Sequence, residues 1–358
     1  GILATTLGEE LAARGHEIHF ISYERPFRLP HNVPRLHFHA VEINRYELFK
    51  YPDYTLPLSV KLAETSRDYG LDLIHAHYAV PHATAALLAR DMLPPDRAPK
   101  VITTLHGTDT TLLGKDPGYG PAIRHALEAA DGITAVSEFL RTETQRVMGV
   151  QRPIEVIHNF FEPKPPGRSR AEIRAELNLS DEAIVLHLSN LRSVKRIPLL
   201  LATAARIQPP GAFKLVILAG GNFAPFEDEV KRLGIADRVI VRSNVVDIES
   251  YLQAADVGLF TSESESFCLS ILEAMNFSCP SVSTRVGGIP ELVEDQVSGL
   301  LVPTADPNDL ARAVESLLRD PERRAAMGKA AQTRARTRFS AASIVPRYEA
   351  LYHRVCAR

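Results

Sequence analysis

The sequence predicts an α/β protein of two doubly wound domains, each a parallel sheet with helices on both faces. Three observations predict it. Short apolar runs of strand length alternate with amphipathic helical patterns along the whole chain. The alternation breaks once, at Phe161–Arg170 (F-E-P-K-P-P-G-R-S-R), where prolines and a glycine exclude a regular element, and then restarts. The 358 residues, 45% of them apolar, suffice for two hydrophobic cores.

The elements follow in order. Ile2–Arg14 reads as a helix closed by Gly15. A doubly wound domain opens with a strand and a glycine-rich turn. We therefore expect that strand and most of the turn to precede Gly1, with Gly1 the last residue of the turn. Strand patterns follow at Glu17–Ser22, Arg35–Val41, Leu71–His75, Lys100–Leu105, Gly132–Ala135 and Ile154–Ile157. Helical patterns lie between several of them, at Pro57–Tyr69, Pro81–Arg90, Pro121–Ala130 and Glu138–Met148. Proline recurs in a first helical turn, where its missing N–H costs nothing. Beyond the linker come strands Ala183–Leu188, Lys214–Ala219, Arg238–Val241, Val257–Phe260, Ser281–Ser283 and Gly299–Val302. Helices Asn308–Leu318, Pro321–Arg336 and Ala341–Val355 close the chain. The expected domains are 1–163 and 164–338, with the segment 339–358 returning as a helix to the first.

Bulk properties exclude several functions. A net charge of −2, with acids and bases interspersed, argues against a nucleic-acid groove and a polybasic membrane surface. No apolar run approaches the roughly 18 residues of a membrane span. Cys268, Cys279 and Cys356 are too few and too scattered for a disulfide framework or a thiolate zinc site. A reducing cytoplasm is the expected compartment. The oligomeric state is open, and a homo-oligomer is compatible with the sequence.

Chemistry is densest at Phe260–Glu291. An apolar strand runs into a Ser/Glu cluster, then a helical pattern with Phe267, Ile271, Leu272 and Met275 at core spacing, a short strand and a Gly-Gly turn. Glu265 stands just before the helix and Glu273 two turns along it. A helix N-terminus suits an anion, and two carboxylates beside it suit hydroxyls. Two solvated glutamates on a surface helix would look the same. In S-N-L-R-S-V-K-R, after Ala183–Leu188, a lysine and arginines at a strand end suit a diphosphate, although exposed basic residues are common. The glycines of A-G-G, Ala219–Gly221, allow close backbone approach.

In the first domain two strand ends stand out. H-A-H-Y-A-V-P-H-A places His75, His77 and His82 close enough to consider zinc, but no carboxylate or cysteine is interleaved. We expect a packed His75 and a Tyr78 hydroxyl facing the cleft. T-T-L-H-G-T-D combines His106, hydroxyls and turn N–H groups, with Asp109 expected as a helix cap.

The succession of strand, Ser/Glu cluster, E-S-F, helix with E-A-M, strand and V-G-G-I-P-E resembles the E-x7-E signature of retaining glycosyltransferases of the glycogen-synthase-like type, which have the two-domain GT-B fold. The resemblance implies that Glu265 contacts the transferred sugar and Glu273 the ribose of the donor. It implies that Lys195 and Arg192 meet the diphosphate together with the helix start at Ser266, Phe267, Cys268 and Leu269. Gly1, Asn190 and Gly220 would line the donor, and the base would lie near Val246. His106 would stand by the sugar.

H-A-H-Y-A-V-P-H-A, T-L-H-G-T-D, T-A-V-S, I-E-V-I-H-N-F, S-N-L-R-S-V-K-R and I-S-Y-E-R-P-F-R-L together resemble one bacterial branch of that family. This branch moves N-acetylglucosamine from UDP-N-acetylglucosamine to L-malate, at the start of bacillithiol biosynthesis. Tyr78, Thr104 and Asn159 would then line the acceptor, and Arg192 or Arg196 would supply the cation a dicarboxylate needs. The chain departs from relatives in three places. Ser189-Asn190 replaces Gly-Arg, Cys268 replaces the glycine of E-S-F-G, and Asn276–Cys279 lacks the usual glycine. No D-x-D pair is present to hold a divalent metal, so metal independence and no cofactor are expected. Another acceptor (an inositol phosphate or a lipid-linked sugar), a UDP-sugar epimerase or hydrolase, and a non-catalytic nucleotide-binding module are the alternatives.

Overall fold

Strands of two to seven residues pair into parallel ladders, and amphipathic segments between them cover the sheet faces. The computed structural model describes residues 2–26, 29–43, 53–208 and 211–357. The chain separates into two units, Gly1–Asn159 with Ala341–Arg358, and Phe160–Ser340. The boundaries fall at 159/160 and 340/341 rather than at 163/164 and 338/339. The reason lies in the second unit, where Phe160, Phe161 and Phe339 are buried and the Phe161 N–H donates to the Phe339 carbonyl at 3.1 Å. No helix among the described residues is long and apolar enough to cross a membrane.

The first unit carries β1 (Ile18–Ser22), β2 (Leu36–Ala40), β3 (Leu73–His77), β4 (Lys100–Leu105), β5 (Gly132–Ala135) and β6 (Glu155–Val156). Its described strands form a parallel pair, β1-β2, and a parallel sheet in the order β3-β4-β5-β6. Ile74, Ala76 and Val101 pack against Leu58 and Leu62 of the helix Thr55–Tyr69 and against Ala85, Ala86 and Ala89 of Thr84–Asp91. The last helix, Ala341–Cys356, belongs to this unit: Glu349 accepts from Arg14 at 3.2 Å, and Tyr352 reaches His75 at 2.7 Å.

β3 begins and ends two residues later than its apolar run suggests. The Asp72 carbonyl accepts from Lys100 and so starts the ladder, and His77 thus lies inside the strand. The α-helix proper starts at Thr84 rather than Pro81, because a π-helical turn, Ala79–Ala83, precedes it; within that turn Val80 is extended (φ −124°, ψ 139°), as a residue before proline prefers. Asp109 caps no helix. Its carboxylate accepts from the N–H groups of Ala79 and Gly107, both at 3.1 Å, and so staples the loops after β3 and β4 together.

The second unit carries β7 (Ala183–Ser189), β8 (Phe213–Ala219), β9 (Val239–Ser243), β10 (Val257–Phe260), β11 (Ser281–Thr284) and β12 (Gly299–Val302). They form one parallel sheet ordered β9-β8-β7-β10-β11-β12. Successive residues point to opposite faces. Val185, Leu215, Ile217, Val257 and Leu259 pack under the helices Ile197–Ala204 and Pro307–Arg319. Ile184, Leu186, Val216 and Leu218 pack under Ile248–Ala254 and Leu269–Asn276. The unit's first helix, Arg170–Glu176, starts at a capping box of Ser169 and Glu172, which ends the proline-rich linker.

Candidate active site

Counting from β7, the strand order of the second unit is 3-2-1-4-5-6, so the order reverses between β7 and β10. Ligands of such sheets bind beyond the carboxyl ends of the strands at that reversal. Two loops leave there. The loop after β7 makes a single tight turn, Ser193–Lys195, and the loop after β10 runs from Thr261 to the helix Leu269–Asn276. They are tied together. The Thr261 hydroxyl donates to the Lys195 carbonyl (3.0 Å), the Glu263 N–H to the Val194 carbonyl (2.8 Å), and Lys195 Nζ to Glu265 Oε1 (2.5 Å). The Ser262 hydroxyl also donates to Glu265 Oε1, at 2.7 Å. The Lys195 and Glu265 side chains are only 14% and 12% exposed. Burial disfavours the Lys195 ammonium, but Glu265 beside it holds the pKa above the ordinary lysine value.

The backbone around Glu265 is fixed from below. Gly288 donates its N–H to the Glu265 carbonyl at 2.8 Å. Gly287 has φ +55°, and a Cβ there would lie 1.9 Å from the same carbonyl oxygen, so glycine is required for the approach. Cys268, immediately before the helix, has φ 73° and ψ 78°, the left-handed region that favours glycine. Ser278, beyond the same helix, has φ 57°. Both positions where a glycine is missing therefore keep a glycine-like backbone. The Cys268 thiol is buried, which pushes its pKa far up and leaves it neutral.

In the first unit a polar cluster gathers at the ends of β3 and β4. His77 Nδ1 lies 2.9 Å from His106 Nε2, and the Tyr78 ring centroid is 4.8 Å from that of His106. Behind them His75 bridges Tyr352 (2.7 Å) and the Thr104 hydroxyl (2.6 Å), which in turn meets Thr134 at 2.6 Å. Burial lowers the pKa of His75 to about 4 and of His106 to about 3, so both rings are neutral at pH 7. His75, His77 and His106 pair with one another or with their neighbours, whereas His82 Nδ1 is buried without a partner, and no metal-ligand set of three His, Cys, Asp or Glu forms among the described residues.

Comparison with known proteins bears on this geometry. Residues 169–334 match the family described as glycosyl transferases group 1, and residues 1–164 match Glycosyltransferase Family 4. The chain is 38% identical over 358 aligned residues to N-acetyl-alpha-D-glucosaminyl L-malate synthase of Bacillus anthracis, covering 99% of this chain and 93% of that protein. The chain is a GT-B glycosyltransferase. It is also 32% identical to a D-inositol 3-phosphate glycosyltransferase of Saccharomonospora viridis, over 79% of this chain and 65% of that one. Among solved structures, a sucrose-phosphate synthase from Thermosynechococcus elongatus superposes with a TM-score of 0.82 at 24% identity, over 99% of this chain and 93% of that one. That likeness is one of fold.

Within this glycosyltransferase the candidate residues separate into groups. Lys195, Glu265, Ser266, Phe267, Cys268 and Leu269 lie in or beside the tied loops, and Glu273 is buried two turns further along. The Phe267 ring faces away into the core, edge-on to Phe339 at 5.5 Å. Gly220 packs on Asn190, where a Cβ would lie 3.3 Å from the Asn190 Cα. Arg192 is exposed at the start of the Lys195 turn, and Val246 is 67% exposed beyond β9. Gly1 lies outside the described residues.

In the first unit, His106 and Tyr78 adjoin each other. Asn159 is buried with its Oδ1 unpartnered. Thr104 corrects an expectation: its hydroxyl is fully buried and held between His75 and Thr134, so it braces the site rather than facing an acceptor. Sequence reasoning passed over His187 and Thr261, and it noted Ser189 only as a departure from relatives. The only signal was an H-x-S pattern at the end of β7, which means little until the neighbouring strand is known.

Proposed function

We propose that this chain transfers N-acetylglucosamine from UDP-N-acetylglucosamine to the hydroxyl of L-malate, with retention at the anomeric carbon. The carrying observation is the near full-length similarity to the Bacillus anthracis synthase, with its coverage of 99% and 93%. In this reading the second unit binds the donor and the first binds malate. Lys195, Arg192 and the start of the helix Leu269–Asn276 face the diphosphate, where positive charge is needed as the leaving group departs. Glu265 holds the sugar hydroxyls and Glu273 the ribose. Tyr78 and Asn159 line the acceptor, His106 stands by the sugar, and Arg192 or Arg196 pairs with a malate carboxylate.

The chemistry is a same-face displacement. The bond from the anomeric carbon to the β-phosphate oxygen breaks. The malate hydroxyl oxygen bonds to that carbon, and its proton goes to the departing phosphate oxygen. This route is favoured over a glutamyl intermediate because Glu265 Oε1 is already engaged by Lys195 and Ser262. The Lys195 ammonium and helix N–H groups are the charge stabilisers, so turnover should not require a divalent ion. Three free cysteines fit the reducing cytoplasm in which these charged substrates occur.

The test is UDP release with and without L-malate, followed by the mass of the product. Malate-dependent release with a glucosaminyl-malate mass supports the reading. Release without malate indicates a hydrolase or epimerase, and release only with an inositol phosphate transfers the acceptor assignment. Activity abolished by EDTA and restored by Mg²⁺ would refute metal independence.

A further inference from the structure

The ladder between β7 and β10 is short. It pairs Val257 with Val185 and Gly258 with Leu186, and the two strands part beyond that point. His187 is the next residue of β7, and its side chain spans the parting. Nδ1 lies 2.8 Å from the Leu259 carbonyl of β10, and Nε2 lies 2.8 Å from the Ser189 hydroxyl. The proton assignment follows from the partners. A carbonyl only accepts, so Nδ1 carries the hydrogen and Nε2 is left as the acceptor. Ser189 must then donate its hydroxyl hydrogen to Nε2, and its oxygen accepts the Leu191 N–H at 3.3 Å. The ring is 1% exposed, and burial lowers its pKa to about 4, in keeping with a neutral imidazole.

Both arms lead to the reacting groups. On one side Ser189 holds Leu191, a non-glycine residue at φ 54°, and the chain turns there into the loop that ends at Lys195. On the other side Leu259 continues through Phe260 and Thr261 to Glu265. At the far rim the loops meet again through Thr261–Lys195, Glu263–Val194 and Lys195–Glu265. The result is a closed ring of contacts with His187 at its base.

We propose that His187, in its neutral Nδ1–H form, is the positioning residue of this crevice: through Leu259 and Ser189 it sets the separation of the loops that carry Lys195 and Glu265. The inference rests on reading those two residues as the donor-side pair.

Two variants and one spectrum test it. His187→Phe removes both arms at similar volume, and Ser189→Ala removes one arm with little change in packing. Each is followed by hydrogen exchange over residues 189–196 and 261–268, by kcat and donor KM, and by thermal unfolding. A 1 Å misplacement of a reacting group costs on the order of 100-fold in rate. We expect about that loss in kcat for His187→Phe and about 10-fold for Ser189→Ala, with faster exchange in the two loops and ordinary exchange elsewhere in the sheet. A purely structural role would lower the melting temperature and leave kcat per folded molecule unchanged. ¹⁵N NMR of the unmodified protein should show His187 protonated at Nδ1 alone near pH 7. An Nε2–H tautomer, or Ser189→Ala with normal loop exchange and normal kcat, overturns the proposal. If the unmodified enzyme releases no UDP, the substrate reading fails, while exchange and NMR still decide the positioning role.

Discussion

Gly287→Ala should disable the enzyme by displacing the backbone of Glu265. Gly287 has φ +55°, and an added Cβ would stand 1.9 Å from the Glu265 carbonyl oxygen, 2.9 Å from its carbon and 3.1 Å from its nitrogen. Ordinary contact begins near 3.4 Å, so roughly 1.5 Å must be recovered, and the obstacle is backbone rather than a flexible side chain. The Gly288 N–H bond to the same carbonyl, 2.8 Å long, is lost as the segment moves. Left-handed backbone costs alanine about 1 kcal/mol, and the broken hydrogen bond about 1 kcal/mol more. A shift of about 1 Å in Glu265 relative to Lys195 adds on the order of 100-fold in rate, about 2.7 kcal/mol of activation energy.

The assay is kcat/KM for UDP release alongside urea unfolding of the same preparation. Gly70→Ala is the control: its φ is +63° but nothing lies within 4 Å of the added Cβ, so it bears the backbone cost alone. It should lose about 1 kcal/mol of stability and no turnover. Gly287→Ala with turnover within threefold of Gly70→Ala would refute the argument that this glycine positions Glu265.

Other perturbations separate sugar recognition, strain and proton binding. Glu265→Ala removes the partner of a largely buried lysine, and donor kcat/KM should fall at least about 100-fold while UDP affinity changes by less than about tenfold; equal losses measured by kinetics and calorimetry would contradict its assignment to the sugar. At Cys268, valine places a β-branched side chain at φ 73° and should cost more than about 2 kcal/mol in urea unfolding, whereas glycine should cost less than about 1 kcal/mol; equal costs would show that the backbone there is unstrained. His75, His106 and His187 titrate near 4, 3 and 4 in the fold, below an unfolded value of about 6.5. The unfolded chain therefore binds protons that the folded chain refuses. Stability present above pH 6.5 is lost as pH falls toward 4, by between about 2 and 3 kcal/mol per histidine at pH 4.5. Unfolding free energies equal at pH 7 and 4.5 would show these rings to be accessible to protons.

Much of the frame was legible because it rests on local pattern. The strands Lys100–Leu105, Gly132–Ala135, Val257–Phe260 and Gly299–Val302 and the helix Glu138–Met148 have the same limits in the structure as in the sequence reading. In most of them the strand or helix ends at a glycine, proline or polar cluster; Gly132–Ala135 is followed by the buried Val136 before Ser137. β3 slipped by two residues because its start is set by a bond from Lys100, on another strand, to Asp72. Asp109 looked like a cap because Asp before a helical pattern usually is one. Its carboxylate was instead drawn to two N–H groups that only the packed loops bring together. Thr104 looked like a ligand-facing strand end, yet period-two alternation cannot say which face His75 and Thr134 will occupy.

The sequence by itself determined the kind of fold and the family. The alternating periods specify parallel α/β units, and the motifs around Glu265 and Lys195 carry the family resemblance, because both depend on side-chain order within one element. Tertiary structure alone decided how those groups meet. Lys195 and Glu265 are 70 residues apart, and their 2.5 Å contact exists only because β7 and β10 are neighbours at the reversal of strand order. Strand order is a choice among long-range pairings whose free energies arise from burial and ladder bonds across the whole unit. No short window of sequence contains that sum, so His187, the residue that spans the reversal, became visible only once the sheet was assembled.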